Sequence, residues 1–431
     1  MFRSHPLLTD LYELTMGEVY LREGLNDYAI FEMTIRHKKE RNYYVSVGVL
    51  ELAKEITQLR FSEEDIEYLR SLNRFSEDFL NYLKNFKFRG DIWGIPDGRI
   101  FFANEPVVVI KANRIDGQIL ETLVLNTLAY QINSASKAAR VYSVAKGKLL
   151  MEFGARRAAG IDAAVKSSKA AYIAGFDGTS NLLAGKIYGI PVFGTMAHSF
   201  VQTFPSEFEA FLTFAKVYPD NAIFLVDTYD TVSGIEVAIE VMKLLMGSLK
   251  MVGIRIDSGD IVELSNYAKR RFEEEGLNSV KIVLSGDLDE WKIAEVVREG
   301  YADAFGVGTE IVLPSDRPSL GAIYKLVEDK EGFKHKFSKG KVVIGGSKQV
   351  YRLYRGDGKI EKDIIAHESV HYDGEPLLVP IVKEGELLLE YDVKEARERF
   401  LRDFSTLPDE YKDINITFNP PIEYSQELKI M

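Results

Sequence analysis

Residues 281–309 read KIVLSGDLDEWKIAEVVREGYADAFGVGT, and this stretch decides the fold class. An apolar run (Lys281–Leu284) ends in Ser-Gly-Asp, a polar and amphipathic stretch follows, and a second apolar run (Asp303–Val307) ends in Gly-Thr. Two apolar runs separated by a helix-like stretch predict a parallel βαβ unit. The chain therefore contains an α/β domain with a parallel sheet.

The same alternation extends towards the N-terminus. Between residues 148 and 312 the sequence holds seven apolar runs that end in polar residues or glycine: Leu149–Gly154, Ala170–Phe176, Pro191–Gly194, Ala222–Val226, Met251–Ile256, Lys281–Leu284 and Asp303–Val307. Seven or eight βα units in series favour a closed (β/α) barrel over an open sheet. After Pro314 short strands and turns replace the alternation, which predicts a β-rich return to the N-terminal domain.

Composition restricts the function classes. The chain has 431 residues, too many for one hydrophobic core, so we expect at least two domains. Lys plus Arg is 54 and Asp plus Glu is 65, and the net charge of −11 disfavours nucleic acid or an anionic membrane as a partner. Without cysteine, disulfides, thiolate zinc sites and cysteine nucleophiles are impossible. We expect a cytoplasmic protein with no structural zinc.

In a parallel barrel, functional groups follow the carboxyl ends of the strands, and here these positions carry carboxylates. Asp227, Asp257 and Asp260 could hold Mg²⁺ together with substrate oxygens, because Mg²⁺ takes one or two carboxylates plus phosphate oxygens. Helix N-capping is the competing interpretation for Asp227, Asp230 and Asp260. The sequence leaves both interpretations open.

Cations and small residues occupy other strand ends. Arg156, Arg157 and Arg255 could clamp carboxylate or phosphate groups with their planar forks, although surface ion pairs are the alternative for the first two. Gly306-Val307-Gly308-Thr309 is typical of a phosphate cup after a late barrel strand. His198 lies in a small-residue turn, where imidazole could act as nucleophile or acid/base.

One motif is rejected at this stage. His367-Glu368-Ser369-Val370-His371 matches the H-E-x-x-H signature of zinc metalloproteases, which requires a helix so that both histidines share a face. The flanking residues are strand-like before the motif and turn-like after it. We therefore interpret the match as chance.

Several ordered motifs together resemble the nicotinate phosphoribosyltransferase family. The N-terminal residues 8–16, LTDLYELTM, are similar to its opening motif. Five motifs of the predicted barrel resemble motifs of that family and occur in the same order: residues 152–158, 194–199, 226–230, 255–260 and 306–309. Residues 337–341 and 348–352 resemble its C-terminal signature. An ordered set of motifs is far more specific than any single one.

This resemblance implies an irregular α/β barrel of about seven parallel strands and an α/β sandwich domain built from both ends of the chain. We place the N-terminal part of the sandwich at residues 1–110, the barrel at 111–318 and the C-terminal β-rich part with the tail at 319–431. The implied reaction joins nicotinate to phosphoribosyl pyrophosphate, giving nicotinate mononucleotide and pyrophosphate in NAD salvage. Coupling to ATP, a requirement for Mg²⁺ and a homodimer are implied as well.

The resemblance also implies roles for individual residues. His198 resembles a histidine that ATP phosphorylates transiently, and Arg255 resembles one that pairs with the nicotinate carboxylate. Tyr12 and Thr195 resemble nicotinate contacts, with Tyr12 completing the site of the neighbouring subunit, and Thr309 resembles a contact to the phosphoribosyl phosphate. With Asp227 and Asp257 as catalytic carboxylates, the other substrate-binding residues expected are Arg156, Arg157, Ser258, Gly259, Asp260, Gly286, Gly306 and Gly308.

Two kinds of alternative remain at this point. Quinolinate and nicotinamide phosphoribosyltransferases share the barrel but take a different base, and the quinolinate enzyme needs no ATP. A catalytically silent barrel that senses a nucleotide or phosphosugar belongs to another class. The presence of His198, Arg255 and the acidic strand ends in one chain disfavours the silent barrel.

Overall fold

The computed structural model describes residues 5–245, 247–338 and 341–430. Lys339 and Gly340, in the expected C-terminal motif, lie outside the described residues. The chain forms two compact units, the first from Met1–Ser136 with Asp316–Met431 and the second from Lys137–Ser315. The predicted domain boundaries were near residues 110 and 318, whereas the units change over at residues 137 and 316.

The N-terminal segment of unit 1 supplies helices and antiparallel strands. Its helices are α1 (Leu11–Arg22), α2 (Val49–Gln58), α3 (Glu63–Ser71), α4 (Glu77–Lys84), α5 (Arg114–Gln118) and α6 (Glu121–Ala145), the last of which continues into unit 2. Its strands are β1 (Tyr28–Ile35), β2 (Tyr44–Val45), β3 (Asp91–Gly94), β4 (Ile100–Phe101) and β5 (Pro106–Asn113).

Unit 2 alternates strands and helices. Its strands are β6 (Leu149–Glu152), β7 (Gly178–Thr179), β8 (Ala222–Leu225), β9 (Val252–Ile256), β10 (Lys281–Leu284) and β11 (Ala304–Val307). A short 3₁₀ helix (Ala155–Arg157) follows β6, and the α-helices are α7 (Ile161–Ile173), α8 (Leu182–Tyr188), α9 (His198–Thr203), α10 (Glu207–Val217), α11 (Thr231–Leu244), α12 (Ile261–Glu274), α13 (Glu290–Glu299) and α14 (Thr309–Val312).

The C-terminal segment is β-rich, as expected, and ends in helices. Its strands are β12 (Ala322–Asp329), β13 (Gly332–Phe333), β14 (Lys336–Ser338), β15 (Lys341–Val343), β16 (Lys348–Tyr354), β17 (Ile360–His367), β18 (Glu375–Pro376), β19 (Val379–Lys383), β20 (Glu386–Leu387) and β21 (Ile422–Tyr424). Its helices are α15 (Val393–Thr406), α16 (Asp409–Lys412) and α17 (Gln426–Ile430). No helix among the described residues is both long and apolar enough to cross a membrane.

Both ends of the chain build one antiparallel sheet in unit 1. Its strand order is β13-β12-β1-β5-β3-β19-β20, and β1 lies between β12 and β5 with Met33 opposite Tyr324 and Val108. A four-stranded sheet, β18-β16-β17-β21, belongs to the same unit. Stacked Phe31 and Tyr324, with ring centroids 5.2 Å apart, join the two chain segments in a single core. Burial of this shared apolar surface holds distant parts of the sequence together.

Unit 2 contains a parallel sheet with strand order β7-β6-β11-β10-β9-β8. One further parallel bridge joins Thr179 to Val192, so the predicted run Pro191–Gly194 pairs with the sheet at a single position. The predicted run Ala170–Phe176 is wrong as a strand, since most of it is the end of α7. An Ala-rich buried helix end has the same short apolar signature as a buried strand. The structure therefore has six named parallel strands in this unit.

Candidate active site

The parallel strands of unit 2 bring the predicted polar residues to one edge. Asp227 follows β8 by two residues, Asp257 follows β9 directly, and Gly286 comes two residues after β10. Thr309 follows β11 by two residues. Carboxyl ends of parallel strands lie at the same edge of a sheet, so these residues share one face of the domain. We call the loops at this edge the strand-end loops.

Asp227 and Asp257 form a linked pair in these loops. One oxygen of Asp227, Oδ2, accepts hydrogen bonds from the Asp257 amide at 3.2 Å and from the Ser258 hydroxyl at 2.5 Å. Asp257 Oδ1 accepts one from the hydroxyl of Ser285, the residue after β10. The other oxygen of Asp227, Oδ1, is buried and has no hydrogen-bond partner among the described residues. A buried oxygen without a donor is costly unless a ligand supplies the partner.

Helix capping separates the acidic residues into two groups. The Asp230 carboxylate caps α11 by accepting a hydrogen bond from the backbone amide of Ser233. The Asp260 carboxylate caps α12 by accepting one from the backbone amide of Glu263. Asp227 caps neither helix. The capping interpretation is therefore correct for Asp230 and Asp260, while Asp227 is available for other chemistry.

The Asp227 and Asp257 carboxylates fit a magnesium site that is completed by substrate. No group of three or more metal-binding side chains occurs in the described part of the chain. Two carboxylates, one of them with an unpartnered buried oxygen, match Mg²⁺ that takes its remaining ligands from phosphate oxygens and water.

Close backbone packing explains the glycine after β10. Gly286 has φ +89°, and a Cβ at this position would lie 1.7 Å from the carbonyl oxygen of Asp257. Gly259, in the neighbouring loop, also has a positive φ of +85°. Only glycine lets the β10 loop approach Asp257 this closely. The loops around Asp257 are thus held by direct contact between backbones.

Arg255 lies at a cavity of about 360 Å³ within unit 2. Its Nη1 donates to the hydroxyl of Thr195 at 2.8 Å, and its Nε has no hydrogen-bond partner among the described residues. Burial lowers the pKa of Arg255, while Asp257 and Asp227 oppose this shift. The cavity is lined by aromatic rings as well, from Phe153 and Phe193. Arg255 and Thr195, both expected to contact nicotinate, therefore lie next to each other at this cavity, with Arg255 Nε 3.9 Å from Asp257 Oδ1.

Sequence reasoning missed the two aromatic residues. Phe153 follows β6 directly, and Phe193 follows the single bridge at Val192. Both pack against the small interior cluster of Met151, Ile223, Val283 and Ala304. The available signal was an aromatic residue at a strand end within a motif, Glu152-Phe153-Gly154, which was interpreted only through its arginines.

His198 begins α9 and is half-buried. Its Nδ1 lies 3.2 Å from the hydroxyl of Thr228, a residue of the loop after β8. Nε2 makes no hydrogen bond among the described residues. The imidazole is therefore oriented by a hydroxyl from the loop that also carries Asp227, with one nitrogen available to a ligand.

A buried carboxylate fixes the loop that carries Arg156 and Arg157. Glu152 is fully buried and accepts from the Gly154 amide, the Ser168 hydroxyl at 2.8 Å and the Thr179 hydroxyl at 2.6 Å. Burial raises the pKa of Glu152, and these donors oppose the rise. Both arginines are exposed and form no ion pair among the described residues.

The predicted phosphate cup lies beside this loop. A Cβ at Gly306 would lie 2.4 Å from the Phe153 ring, and one at Gly308 would lie 3.1 Å from the Phe153 carbonyl oxygen. Gly308 precedes α14, and the half-buried Thr309 hydroxyl makes no hydrogen bond within the described residues. The two glycines are therefore needed for packing against Phe153, whatever ligand the cup binds.

Tyr12 belongs to unit 1. The next residue, Glu13, is buried. Its carboxylate accepts hydrogen bonds from the hydroxyls of Thr9 at 2.6 Å and Thr122 at 2.5 Å. The bond from Thr122 anchors α1 to the start of α6. Tyr12 points outward and is 46% exposed. Burial, with the charges of Glu121 and Glu13, raises the pKa of Tyr12 to about 12, so its hydroxyl stays protonated at neutral pH.

Unit 1 also holds a basic cleft of about 520 Å³. Arg36, Lys38 and Lys336 line it, and none of them forms an ion pair among the described residues. His37 lines it too, with a buried Nδ1 that has no hydrogen-bond partner there. In a chain of net charge −11, three unpaired cations in one cleft indicate an anionic ligand.

The H-E-x-x-H match is confirmed as a non-helical sequence. His367 ends β17, its Nδ1 lies 2.7 Å from the Ser369 hydroxyl, and Glu368 is paired with Lys111. The two histidines cannot share a helix face, so the zinc protease interpretation is excluded by geometry.

Acidic strand-end loops, a half-buried arginine beside a cavity with two aromatic rings and a parallel βα sheet are typical of an α/β enzyme. Residues 7–129 match the family model described as nicotinate phosphoribosyltransferase (NAPRTase) N-terminal domain, and residues 149–363 match that of the nicotinate phosphoribosyltransferase (NAPRTase) family. The chain belongs to the nicotinate phosphoribosyltransferase family.

Individual relatives agree with this assignment. A nicotinate phosphoribosyltransferase of Mycobacterium tuberculosis is 42% identical over 433 residues, covering 99% of this chain and 93% of the relative. One from Bacillus subtilis is 40% identical, covering 81% and 73%. The crystal structure of human nicotinic acid phosphoribosyltransferase superposes with a TM-score of 0.83 at 25% identity, covering 98% of each chain. A nicotinate-nucleotide pyrophosphorylase from Pyrococcus furiosus gives 0.77 at 25% identity, covering 96% of each.

Proposed function

We propose that this chain transfers the phosphoribosyl group from phosphoribosyl pyrophosphate to nicotinate, giving nicotinate mononucleotide and pyrophosphate in NAD salvage. The observation that carries the proposal is the half-buried Arg255, whose Nε makes no hydrogen bond among the described residues, beside a cavity lined by Phe153 and Phe193. A planar guanidinium next to apolar rings suits an aromatic ring that bears one carboxylate.

The number of available cations favours nicotinate over quinolinate. Besides Arg255, the cavity is lined by Lys281, which lies 3.4 Å from Asp303 in an ion pair. Arg255, whose Nε lies 3.9 Å from Asp257 Oδ1, is then the cation that would bind the single carboxylate of nicotinate, whereas quinolinate carries two. Nicotinamide has no carboxylate with which this guanidinium could form a charge-assisted hydrogen bond.

The strand-end loops would hold the second substrate. Departure of pyrophosphate develops positive charge at the ribose C1 and negative charge on the leaving oxygens. Bound Mg²⁺ would neutralise those oxygens, and Asp227 and Asp257 would hold the ion in place. Ser258, Gly259 and Gly286 surround these carboxylates and position them. Thr309, with Gly306 and Gly308, would contact the phosphate of the ribose, and Arg156 and Arg157 would offer exposed charge to the anionic donor.

A homodimer would complete this site. The strand-end loops carry several carboxylates, while phosphoribosyl pyrophosphate is highly anionic. With Arg255 assigned to nicotinate, Arg156 and Arg157 are the cations of unit 2 proposed for this donor. Unit 1 has the complementary features, an outward Tyr12 and a basic cleft with unpaired Arg36 and Lys336. We infer that unit 1 of the partner subunit adds these groups to the active site.

The decisive experiment measures pyrophosphate release by the purified chain with Mg²⁺ and phosphoribosyl pyrophosphate. Nicotinate, nicotinamide and quinolinate are offered separately, each with and without ATP. Turnover with nicotinate alone, stimulated by ATP, is the expected result. Turnover with another base would change the substrate and keep the reaction. Binding of phosphoribosyl pyrophosphate without turnover on any base would instead support a sensor.

Replacing Arg255 by alanine should raise the KM for nicotinate about 10-fold to 150-fold, because one charge-assisted hydrogen bond is worth about 1.5–3 kcal/mol. The KM for phosphoribosyl pyrophosphate should change much less. Initial rates with each substrate varied in turn measure both constants. Arg255→Lys keeps the charge without the planar fork and should recover only part of the nicotinate affinity. Equal increases in both KM values would contradict the assignment.

Replacing His198 by alanine should abolish the stimulation by ATP and leave slow ATP-independent transfer. Phosphorylation is proposed to assist the ribosyl step by adding charge and acceptor oxygens near Mg²⁺, and the bond between base and ribose forms elsewhere. Pyrophosphate release and ATP hydrolysis measured together test this separation. His198 is half-buried with one hydrogen bond, so the melting temperature should stay close to wild type. ATP stimulation that survives the substitution would refute the phosphohistidine role.

A further inference from the structure

Unit 1 holds a second polar cavity, of about 610 Å³, that the proposed reaction does not use. Its lining comes from α4, from the loop that follows α4 and from the junction of β5 and α5. The volume falls within the range of small-molecule sites. The polar side chains that line it are Asp78, Asn81, Tyr82, Asn85, Lys87, Arg89, Asn113 and Asp116.

A buried carboxylate forms the deep part of this cavity. Asp116 is 8% exposed, and its Oδ1 accepts a hydrogen bond from the Tyr82 hydroxyl. The Tyr82 hydroxyl in turn accepts a hydrogen bond from the side-chain amide of Asn26 at 3.1 Å. Oδ2 makes no hydrogen bond among the described residues. Burial raises the pKa of Asp116 to about 6, with the Tyr82 hydrogen bond and the Arg89 charge opposing the shift. At neutral pH this group is an ionised acceptor with an oxygen available to a ligand.

Two cations line the same cavity. Lys87 and Arg89 are exposed, and neither forms an ion pair among the described residues. Nearby cations differ in this respect, since Arg70 pairs with Glu77 and Lys84 pairs with Glu63. An arginine and a lysine that form no ion pair can bind an anion such as phosphate.

The backbone holds these cations in place. A Cβ at Gly90 would lie 2.3 Å from the carbonyl oxygen of Lys111 on β5, so the residue next to Arg89 packs directly on the sheet. Asn81 and Asn113 are exposed, and their side-chain amides make no hydrogen bond within the described residues. Amide groups that can both donate and accept suit hydroxyls and heterocyclic edges.

We propose that this cavity is a binding site for a phosphorylated ribose, either a mononucleotide or a free sugar phosphate. The phosphate would contact Lys87 and Arg89, and ribose hydroxyls would donate to the free oxygen of Asp116. The side-chain amides of Asn81 and Asn113 would bind the remaining hydroxyls or the base. The site lies within unit 1 and does not depend on the reaction proposed for unit 2.

Calorimetric titration of the full chain tests this site. Nicotinate mononucleotide should bind wild type at two sites per chain and the double variant Lys87→Ala/Arg89→Ala at one. Arg74→Ala/Lys84→Ala removes the same charges from the same region outside the cavity and should retain both sites. Asp116→Asn should weaken the second site at least tenfold, the loss expected for a charge-assisted hydrogen bond.

Other probes separate the two sources of the ligand. Adenosine 5′-monophosphate, ribose 5-phosphate and inorganic phosphate are titrated in the same way. Binding of ribose 5-phosphate as tightly as the mononucleotides identifies a sugar phosphate site, and preference for a mononucleotide identifies contacts to the base. A number of sites that Lys87→Ala/Arg89→Ala leaves unchanged would overturn the proposal, whereas a single wild-type site that this variant loses would support it and count against the function proposed for unit 2. Equal binding of inorganic phosphate, or binding unchanged in Asp116→Asn, would overturn the ribose part.

Discussion

Replacing Gly286 by alanine should lower kcat/KM for pyrophosphate release by at least about 100-fold, because displacement of reacting groups by about 1 Å can cost that much. The new Cβ would lie 1.7 Å from the carbonyl oxygen of Asp257, and the clash can only be relieved by moving one of the two loops. One loop carries Asp257, and the other carries Ser285, whose hydroxyl donates a hydrogen bond to Asp257. The positive φ adds strain of about 1–2 kcal/mol for a non-glycine residue.

Gly276→Ala provides the matched control. Gly276 has φ +70°, but a Cβ there would meet no atom within 4 Å. This variant therefore carries the backbone strain without the clash, and it should lose about 1–2 kcal/mol of unfolding free energy with little change in kcat. Steady-state kinetics and thermal unfolding of both variants separate the two effects. Full activity in Gly286→Ala would show that the loops around Asp257 do not need this packing.

Replacing Arg352 by alanine should destabilise the chain by about 3–5 kcal/mol, because it leaves buried charges uncompensated. Arg352 is fully buried and makes a two-point ion pair with Asp363, at 3.0 Å and 2.6 Å. It also lies 3.5 Å from Asp403. The Asp403 carboxylate accepts a hydrogen bond from the backbone amide of Ile100 and forms an ion pair with Arg99. Burial alone would lower the pKa of Arg352, but Asp363 and Asp403 raise it overall, so it stays charged.

The effect should reach beyond the ion pair. Burial and the neighbouring charge of Asp363 raise the pKa of Glu105 well above its usual range, and the charge of Arg352 opposes this rise. Arg355→Ala is the control, since Arg355 is exposed and lies 3.6 Å from an exposed Asp357. It should change the unfolding free energy by less than about 1 kcal/mol. Equal effects of the two variants on urea unfolding would contradict the role assigned to the buried cluster.

The prediction of the candidate site rested largely on the local pattern of apolar runs and the polar residues that follow them. The polar residues at strand ends were visible because each follows a short apolar run, and parallel strands always bring such positions to one edge. Asp230 and Asp260 illustrate what the pattern leaves open. An aspartate before a helix has the same sequence signature whether it caps the helix or binds a ligand. The choice needed the observed hydrogen bonds to Ser233 and Glu263.

The failures have identifiable causes. The run Ala170–Phe176 was mistaken for a strand because a buried helix end and a buried strand are both continuously apolar. The basic cleft of unit 1 was not predicted at all. Its cations Arg36, Lys38 and Lys336 come from segments about 300 residues apart, so no local charge cluster exists in the sequence.

The sequence by itself determined the α/β alternation, the family and the residue types at the strand ends, because periodicity and motifs are local properties of the chain. Only the tertiary structure decided which groups meet: Arg255 with Thr195 beside two aromatic rings, His198 with Thr228, and Gly286 against Asp257. These contacts join residues 29 to 60 positions apart. Their distances depend on how whole strands and helices pack, and packing is a property of the folded core that no short stretch of sequence contains.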